Sequence, residues 1–259
     1  MKRAVLLPLL TLALGLTGCS GESPAPQDPP SSAVPPTAQF GSVTLPEDPG
    51  PLVDTITKQV KAAGSVHADI VSGDERGSAD LRTDSVLPMM TVTINDASPT
   101  HAVVLGGVVY ARTEGSEVEP GRPWARLVRQ EIPTAPQEVA AMLTTLLNQI
   151  EQALKQVSAD TGLGLVRDGV FTRDASSEKL DGVPVRRYDG TTSGEKLPDK
   201  KVAKSGLDGI GWTLWVGEDG LPRKFSASLK SAVSTVTYSK WGSPVTVAAP
   251  PANQVSSLD

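Results

Sequence analysis

The stretch Val103-Val104-Leu105-Gly106-Gly107-Val108-Val109-Tyr110 decides the fold class. Two short apolar runs rich in β-branched residues flank a Gly-Gly pair, which is typical of the tight turn in a β-hairpin. Because such a turn joins strands that run in opposite directions, the sequence predicts an antiparallel sheet at this point.

Strand patterns continue on both sides of this hairpin. Apolar and polar residues alternate upstream in Val66–Ile70, Ala79–Thr83 and Met90–Ile94, and each run follows the previous one after a short turn. Further strands are predicted downstream, at Val170–Arg173, Val183–Tyr188, Trp212–Val216, Arg223–Leu229, Val233–Lys240 and Val245–Val247. A sheet of roughly ten strands tends to curl toward a barrel, so we expect strong curvature.

Helical periodicity interrupts the strands. Apolar residues recur at three- and four-residue spacing in Gln137–Val157, and Gly162 and Gly164 are predicted to end this segment. A first helix is predicted at Leu52–Ala63, and a short charged helix around Asp199–Lys204. The sequence therefore predicts an α+β fold, in which helices cover the concave face of a single curved antiparallel half-barrel sheet. The patterning leaves open whether the interior is a solid core or holds an apolar cavity.

The N-terminal region predicts export and lipidation. Lys2 and Arg3 precede the apolar run Ala4–Leu16, which is shorter than the roughly 20 residues of a membrane-spanning helix and fits a signal peptide. Leu16-Thr17-Gly18-Cys19 then matches the bacterial lipobox, and Cys19 is the sole cysteine of the chain. We predict a signal peptide at residues 1–18, with lipid attached to the thiolate of Cys19. More than one acyl chain on this residue would anchor the protein stably.

The next segment, residues 19–50, is rich in Pro and Ser and is predicted to be a lipidated tether. The remaining chain, residues 51–259, is expected on the outer face of the plasma membrane. Without Lys2 and Arg3 the basic count falls from 24 to 22 against 29 acidic residues, so the mature side chains sum to −7. This balance argues against a nucleic acid partner, which requires a basic surface.

The sequence contains no pattern that indicates an enzyme. Its two histidines, His67 and His101, are too few and too isolated to predict a metal site, and no nucleophile elbow or nucleotide-binding glycine pattern occurs. Acidic residues are scattered, although a pair could meet in space as glycosidases require. We therefore predict no catalytic residues, no metal and no cofactor.

Several segments resemble, in the same order, the actinobacterial LppX/LprAFG lipoprotein family. They begin with Ser65-Val66-His67 and with Gly107–Tyr110 leading to Pro123-Trp124. They continue with Trp212–Val216 followed by Asp219–Lys224, and with Tyr238–Val245 followed by Ala249-Pro250-Pro251. The resemblance covers roughly Leu52 to Pro251, with the lipobox in front.

The resemblance implies a LolA/LolB-like lipid carrier, whose half-barrel sheet and helices enclose an apolar cavity. It implies that residues 51–259 bind a multi-acylated lipid or glycolipid and help to move it across the envelope, in some members beside a major-facilitator export pump. Arg112–Arg129 and Thr191–Gly209 are the expected entrance loops. Strand alternation and helical spacing, and not the resemblance, select the side chains expected to line the cavity, which are Met90, Val92, Ile94, Val103, Leu105, Val139, Leu143, Leu146 and Ile150. The alternative is an envelope scaffold or interaction lipoprotein with a solid core and no lipid ligand.

Overall fold

In the described part of the chain, three α-helices pack on one large sheet. The computed structural model describes residues 40–85, 89–95, 98–115, 119–134, 137–197 and 209–256. Helix α1 spans Pro49–Ala63, α2 spans Gln137–Val157 and α3 spans Ala159–Asp168. The predicted signal peptide, Cys19 and the predicted helix around Asp199–Lys204 lie outside the described residues.

Most strands follow the predicted hairpins, whereas Trp124–Leu127, Ser176–Leu180 and Val255–Ser256 are strands that were not predicted. The described part of the chain contains 13 strands, all in a single sheet. The strands are β1 (Ser65–Ser72), β2 (Glu75–Arg82), β3 (Met89–Asn95), β4 (Thr100–Leu105), β5 (Val108–Thr113), β6 (Trp124–Leu127), β7 (Val170–Phe171), β8 (Ser176–Leu180), β9 (Val183–Thr192), β10 (Ile210–Gly217), β11 (Pro222–Leu229), β12 (Ala232–Ser239) and β13 (Val255–Ser256).

The sheet is open and almost entirely antiparallel. Its strand order is β13-β6-β5-β4-β3-β2-β1-β12-β11-β10-β9-β7, and β8 also pairs with β9. The pairing of β13 with β6 is parallel, whereas every other described pair is antiparallel. The predicted α+β class, with an unclosed sheet and helices packed on it, is confirmed.

The helices cover one face of the sheet, and the strand register fixes which residues that face contains. Ala68 of β1 is fully buried and pairs with Ala79 of β2, which in turn pairs with Val92 of β3. Because side chains alternate between faces along a strand, residues two positions away share this side. Helix α2 packs across β1, β2 and β3, while α3 contacts α1, β9 and β11. We call this side the helix-covered face.

The structure corrects the predicted end of the second helical segment. Gly162 and Gly164 lie inside α3, and it is Ser158 that interrupts the helical run, by capping α3 with its side-chain oxygen. A Cβ atom at Gly162 would lie 3.0 Å from the ring of Phe225 on β11. This glycine therefore allows close packing of helix on sheet, which sequence periodicity does not distinguish from a helix stop.

Other boundaries also differ from the predictions. Trp124–Leu127 is strand β6 within the expected entrance loop Arg112–Arg129, and β9 reaches Thr192 inside the second expected loop. Residues 245–247 are not in a strand, and the C-terminal strand is instead Val255–Ser256, paired with β6.

The segment before α1 packs on the body of the protein, although the predicted tether extends to Gly50. The amide of Val43 donates to the carbonyl of Glu218 at 2.8 Å, and Phe40 and Leu45 pack against the core. The packed region thus includes residues ahead of the predicted boundary.

Candidate functional site

The buried side of α2 fills the middle of the helix-covered face. Leu143, Leu147 and Ile150 are at most 3% exposed and belong to the same core cluster as Ala68 and Ala79. Their four- and three-residue spacing places them on one stripe of the helix, which explains why this stripe packs on the sheet. The centre of the face is therefore solid, and open space lies toward the ends of the strands.

The first cavity has a volume of about 480 Å³ and lies at the end of β1 and β3 and the start of β2 and β4, against α2. Ile70, Val92, Ile94, Leu146 and Ala153 give it an apolar floor. The other lining residues are Gly77 and a polar set, which consists of Ser72, Glu75, Arg76, Thr93, Thr100, Thr145, Asn148, Gln149, Gln152 and Gln156. Among the described residues, Glu75 and Arg76 are the charged side chains of this lining, and they have opposite charges.

The second cavity has a volume of about 760 Å³ and lies at the opposite ends of β1, β2 and β3. It is bordered by α1 and by the junction of α2 and α3. Its apolar floor consists of Val60, Val66, Leu81, Met90, Leu154 and Val157, with Ala159 at the edge. Its rim carries five charged side chains, namely Lys61, Arg82, Asp84, Lys155 and Asp160.

One ion pair on this second rim is tightly formed. Arg82 donates from Nε and Nη2 to the two carboxylate oxygens of Asp84, at 2.9 and 2.6 Å. These hydrogen bonds lower the pKa of Asp84 below its ordinary value. Lys61 and Lys155 form no ion pair with any residue in the described ranges.

The predicted cavity residues fall into distinct groups. Val92, Ile94 and Leu146 line the first cavity, and Met90 lines the second. Leu143 and Ile150 lie in the solid centre of the core. The side chain of Val139 lies outside the described part of the structure.

Two predicted residues point away from the cavities. Met90 pairs with Val104, and Val92 pairs with Ala102, so Ala102 and Val104 are the residues of β4 on the helix-covered face. Val103 and Leu105 occupy the alternate positions and therefore lie on the opposite face. The run Ala102-Val103-Val104-Leu105 is apolar on both faces, so alternation could not assign its sides from the sequence.

Other cavity residues were not singled out by sequence reasoning. Ile70 and Val66 lie on β1 and Leu81 on β2, at positions where the apolar–polar alternation is clear. Leu154 belongs to the same apolar stripe of α2 as Leu146 and Ile150. The pattern marked these residues as facing inward, but it could not show that open space lies beside them.

A polar cluster on the face opposite the helices accounts for the most strongly perturbed carboxylate described. Burial raises the pKa of Asp189, but hydrogen bonds from Arg173 (2.7 Å), Arg187 (2.9 Å) and Thr213 (2.8 Å) outweigh burial and lower it to about 2. This carboxylate is ionised and fully engaged, so the cluster does not provide the raised-pKa acid of a glycosidase.

The described residues contain no helix long and apolar enough to cross a membrane. Nor do they contain a group of three or more His, Cys, Asp or Glu side chains that could hold a metal ion.

Comparison with known proteins gives one curated relative along almost the whole chain. LppX of Mycobacterium leprae (strain TN), a proposed phthiocerol dimycocerosate transporter, is 27% identical over 251 residues, which cover 90% of this chain and 91% of LppX. The resemblance to the LppX/LprAFG lipoprotein family is confirmed. No family model matches the chain.

The solved structure of a mycobacterial lipoprotein has a similar fold. LprF from Mycobacterium bovis superposes with a TM-score of 0.51 at 16% identity, over 81% of this chain and 99% of LprF. The lipoprotein LppX from Mycobacterium tuberculosis gives a TM-score of 0.46 at 16% identity, over 76% of this chain and 98% of its own.

Proposed function

We propose that this protein is an exported lipoprotein that binds acylated lipids or glycolipids in the cavities between α2 and the sheet and helps to transfer them across the cell envelope. In this proposal Cys19 carries the lipid anchor, the segment between Cys19 and Phe40 connects the anchor to the body, and the body works at the outer face of the plasma membrane. The family relationship and the name of its relative LppX support a role in lipid binding or transport. A major-facilitator export pump is the protein partner expected beside it.

The observation that carries this proposal is the apolar floor of the first cavity. Ile70, Val92, Ile94 and Leu146 come from three secondary-structure elements and leave about 480 Å³ unfilled between them. Cavities of a few hundred Å³ with apolar walls and a few polar groups are typical of small-molecule binding sites. An acyl chain fits this chemistry, since each buried methylene contributes about 0.8 kcal/mol relative to water.

The mechanism is an exchange between similar environments. An acyl chain that leaves the bilayer for an apolar cavity moves between two hydrocarbon-like surroundings, so its transfer free energy is near zero. A polar headgroup stays at the rim, where it can form hydrogen bonds. Such a balance suits a carrier, because the protein must release what it takes up. No residue is assigned a chemical step, and we propose that the protein is not an enzyme.

Filling the first cavity tests this proposal. Leu146→Trp places an indole in the cavity, so we expect the variant to co-purify with at least tenfold less lipid than the parent, measured by native mass spectrometry of protein expressed in an actinobacterial host. Met142→Trp is the matched control, because Met142 lies on the same helix, is 59% exposed and lines neither cavity. It should retain the parental lipid.

A second pair of variants repeats the test on the sheet. Val92→Trp should also lose lipid, whereas Val71→Trp, at an exposed position of β1, should keep it. Parental lipid content in both cavity variants would refute the site. A parent protein that carries no lipid, and takes up neither added phospholipid nor glycolipid, would favour the envelope scaffold instead.

A further inference from the structure

Arg112 differs from every other arginine in the described part of the chain. Each of the others forms an ion pair or a hydrogen bond with another residue. Arg112 forms neither, and its Nε atom is the one buried side-chain nitrogen or oxygen of the described residues without a hydrogen-bond partner. A buried charged donor that lacks an acceptor costs free energy, so this arrangement requires a physical reason.

Arg112 lies on the face of the sheet opposite the helices. It follows Ala111, which pairs with Ala102 of the helix-covered face. Because side chains alternate along a strand, Arg112 and, two positions earlier, Tyr110 point to the other side. Both side chains are half-buried, and neither lines one of the two cavities. A lipid held between α2 and the sheet therefore does not supply the absent acceptor.

The guanidinium of Arg112 is stacked on a tryptophan that the fold holds in place. It lies over the ring of Trp124, at 5.2 Å from the centroid. Strand β13 fixes the backbone of Trp124, because Val255 pairs with it and the Oγ atom of Ser256 donates to its carbonyl at 3.0 Å. The indole attracts the cation but offers its N–H groups no lone pair in the ring plane. The two Nη nitrogens remain accessible to solvent.

The charges next to Arg112 on this face are already paired. Arg126, on the neighbouring strand β6, donates to Glu131 at 2.6 Å. His101, which lies opposite Arg112 on β4, forms a hydrogen bond with Glu114 at 3.1 Å. Among these described residues, Arg112 is therefore the charge without a counter-ion.

A second stack of arginine on tryptophan lies on the same face and differs in this respect. Arg187 lies over the ring of Trp215 at 5.4 Å from the centroid, and its Nη2 atom donates to Asp189 at 2.9 Å. The Nε1 atom of Trp215 in turn donates to Glu178. Here the fold supplies both the stack and the carboxylates. At Arg112 it supplies the stack alone, so stacking does not explain why that guanidinium is unpaired.

We propose that Arg112 and Trp124 are the centre of a docking site for a protein partner, which contributes a carboxylate from an acidic segment. A carboxylate matches the guanidinium, because two N–H groups can donate in parallel to its two oxygens. Arginine, tryptophan and tyrosine contribute most at the centres of protein interfaces, and Tyr110 adds the third of these types. An anionic membrane is a poorer match, since adhesion to it requires a cluster of free cations. This site does not depend on the proposed function.

A titration with an acidic peptide tests the proposal. The full-length protein, labelled with ¹⁵N-tryptophan and held in detergent micelles, gives indole N–H signals for its four tryptophans, and Trp124→Phe identifies the signal of Trp124. We expect a capped triglutamate peptide to shift this signal in a saturable way, with an affinity that falls as salt is added. A capped triglutamine peptide should leave the signal in place.

Variants of the arginine define its role. Arg112→Gln removes the cation and should weaken binding of the triglutamate peptide at least tenfold. Arg112→Lys should also weaken it, because lysine keeps the charge but loses the paired donors. The indole signals of the other tryptophans should stay at their parental positions, which shows that each variant is folded. Arg167→Gln is the matched control, since Arg167 is an exposed arginine of α3 paired with Asp54, and it should retain the parental affinity.

Four results would overturn the proposal. The first is a triglutamate peptide that shifts no signal of Trp124, or that binds Arg112→Gln as it binds the parent. The second is an equal response to inorganic phosphate, which would indicate a general anion site. The third is a larger shift at Trp215, which would place the site at the other stack. The fourth is a shift that depends on protein concentration without peptide, which would make a second copy of this chain the partner.

Discussion

The two cavities share a sheet and a helix but differ in what surrounds their apolar floors. The first is bordered by α2 and carries carboxamides, hydroxyls and the oppositely charged Glu75 and Arg76, whereas the second is bordered by the ends of three helices and carries five charged side chains. Charges of opposite sign are favoured at opposite helix ends, so the second rim is polar for structural reasons. A charged rim around an apolar floor can therefore arise from the fold itself, without a ligand that requires it.

The largest effect is expected from opening the solid centre that separates the cavities. Ile150 is fully buried, so Ile150→Ala should lower the free energy of unfolding by about 2–5 kcal/mol, through lost burial and a new void. Leu146→Ala should have a smaller effect, because Leu146 is half-buried and already faces open space. Denaturant unfolding measures both values. Equal losses would contradict the division into a solid centre and open ends.

A smaller effect is expected when the second cavity is filled. If a multi-acylated ligand spreads over both cavities, Leu154→Trp should reduce the binding of three-chain lipids about tenfold relative to two-chain lipids. Native mass spectrometry with mixed lipids gives this ratio, and Met142→Trp again serves as the control. An unchanged ratio would show that the second cavity holds no acyl chain, so that only the first cavity would bind lipid.

The smallest effect concerns a hydroxyl on the second rim. The Oγ atom of Ser158 accepts a hydrogen bond from the amide of Asp160 at 3.3 Å and caps α3, so Ser158→Ala should destabilise the protein by about 1 kcal/mol. Ser193→Ala is the control, because Ser193 precedes a short helix without a side-chain cap. We expect both variants to bind lipid like the parent. Loss of lipid binding in Ser158→Ala would assign this rim a role in the ligand site.

Local sequence patterns predicted much of the fold, because hairpins and amphipathic helices depend on near neighbours. The Gly106-Gly107 turn joins β4 to β5 as expected, and the predicted bounds of α2 match the structure. Patterning failed where both faces of a strand are apolar, so Val103 and Leu105 were placed on the wrong side. It also missed β13, whose two residues form a strand through long-range pairing with β6.

The residues of the candidate site likewise fall into those that local patterns predicted and those that they did not. The helix stripe that contains Leu146 and the strand that contains Val92 and Ile94 could be named from periodicity, since each period reports which side of an element is apolar. Periodicity could not separate Leu146, which lines a cavity, from Ile150, which fills the core four residues later. That difference depends on what the opposing strands place against each residue.

The sequence by itself determined the elements, their apolar faces, the predicted lipidation site at Cys19 and the family resemblance, because these follow from local composition and residue order. Tertiary structure alone decided where the interior is filled and where it is open. It also brought the glutamines of α2 beside Ile70 and Ile94, and the ends of three helices around Met90. Open volume is a property of several elements packed together, so no single segment of sequence encodes it.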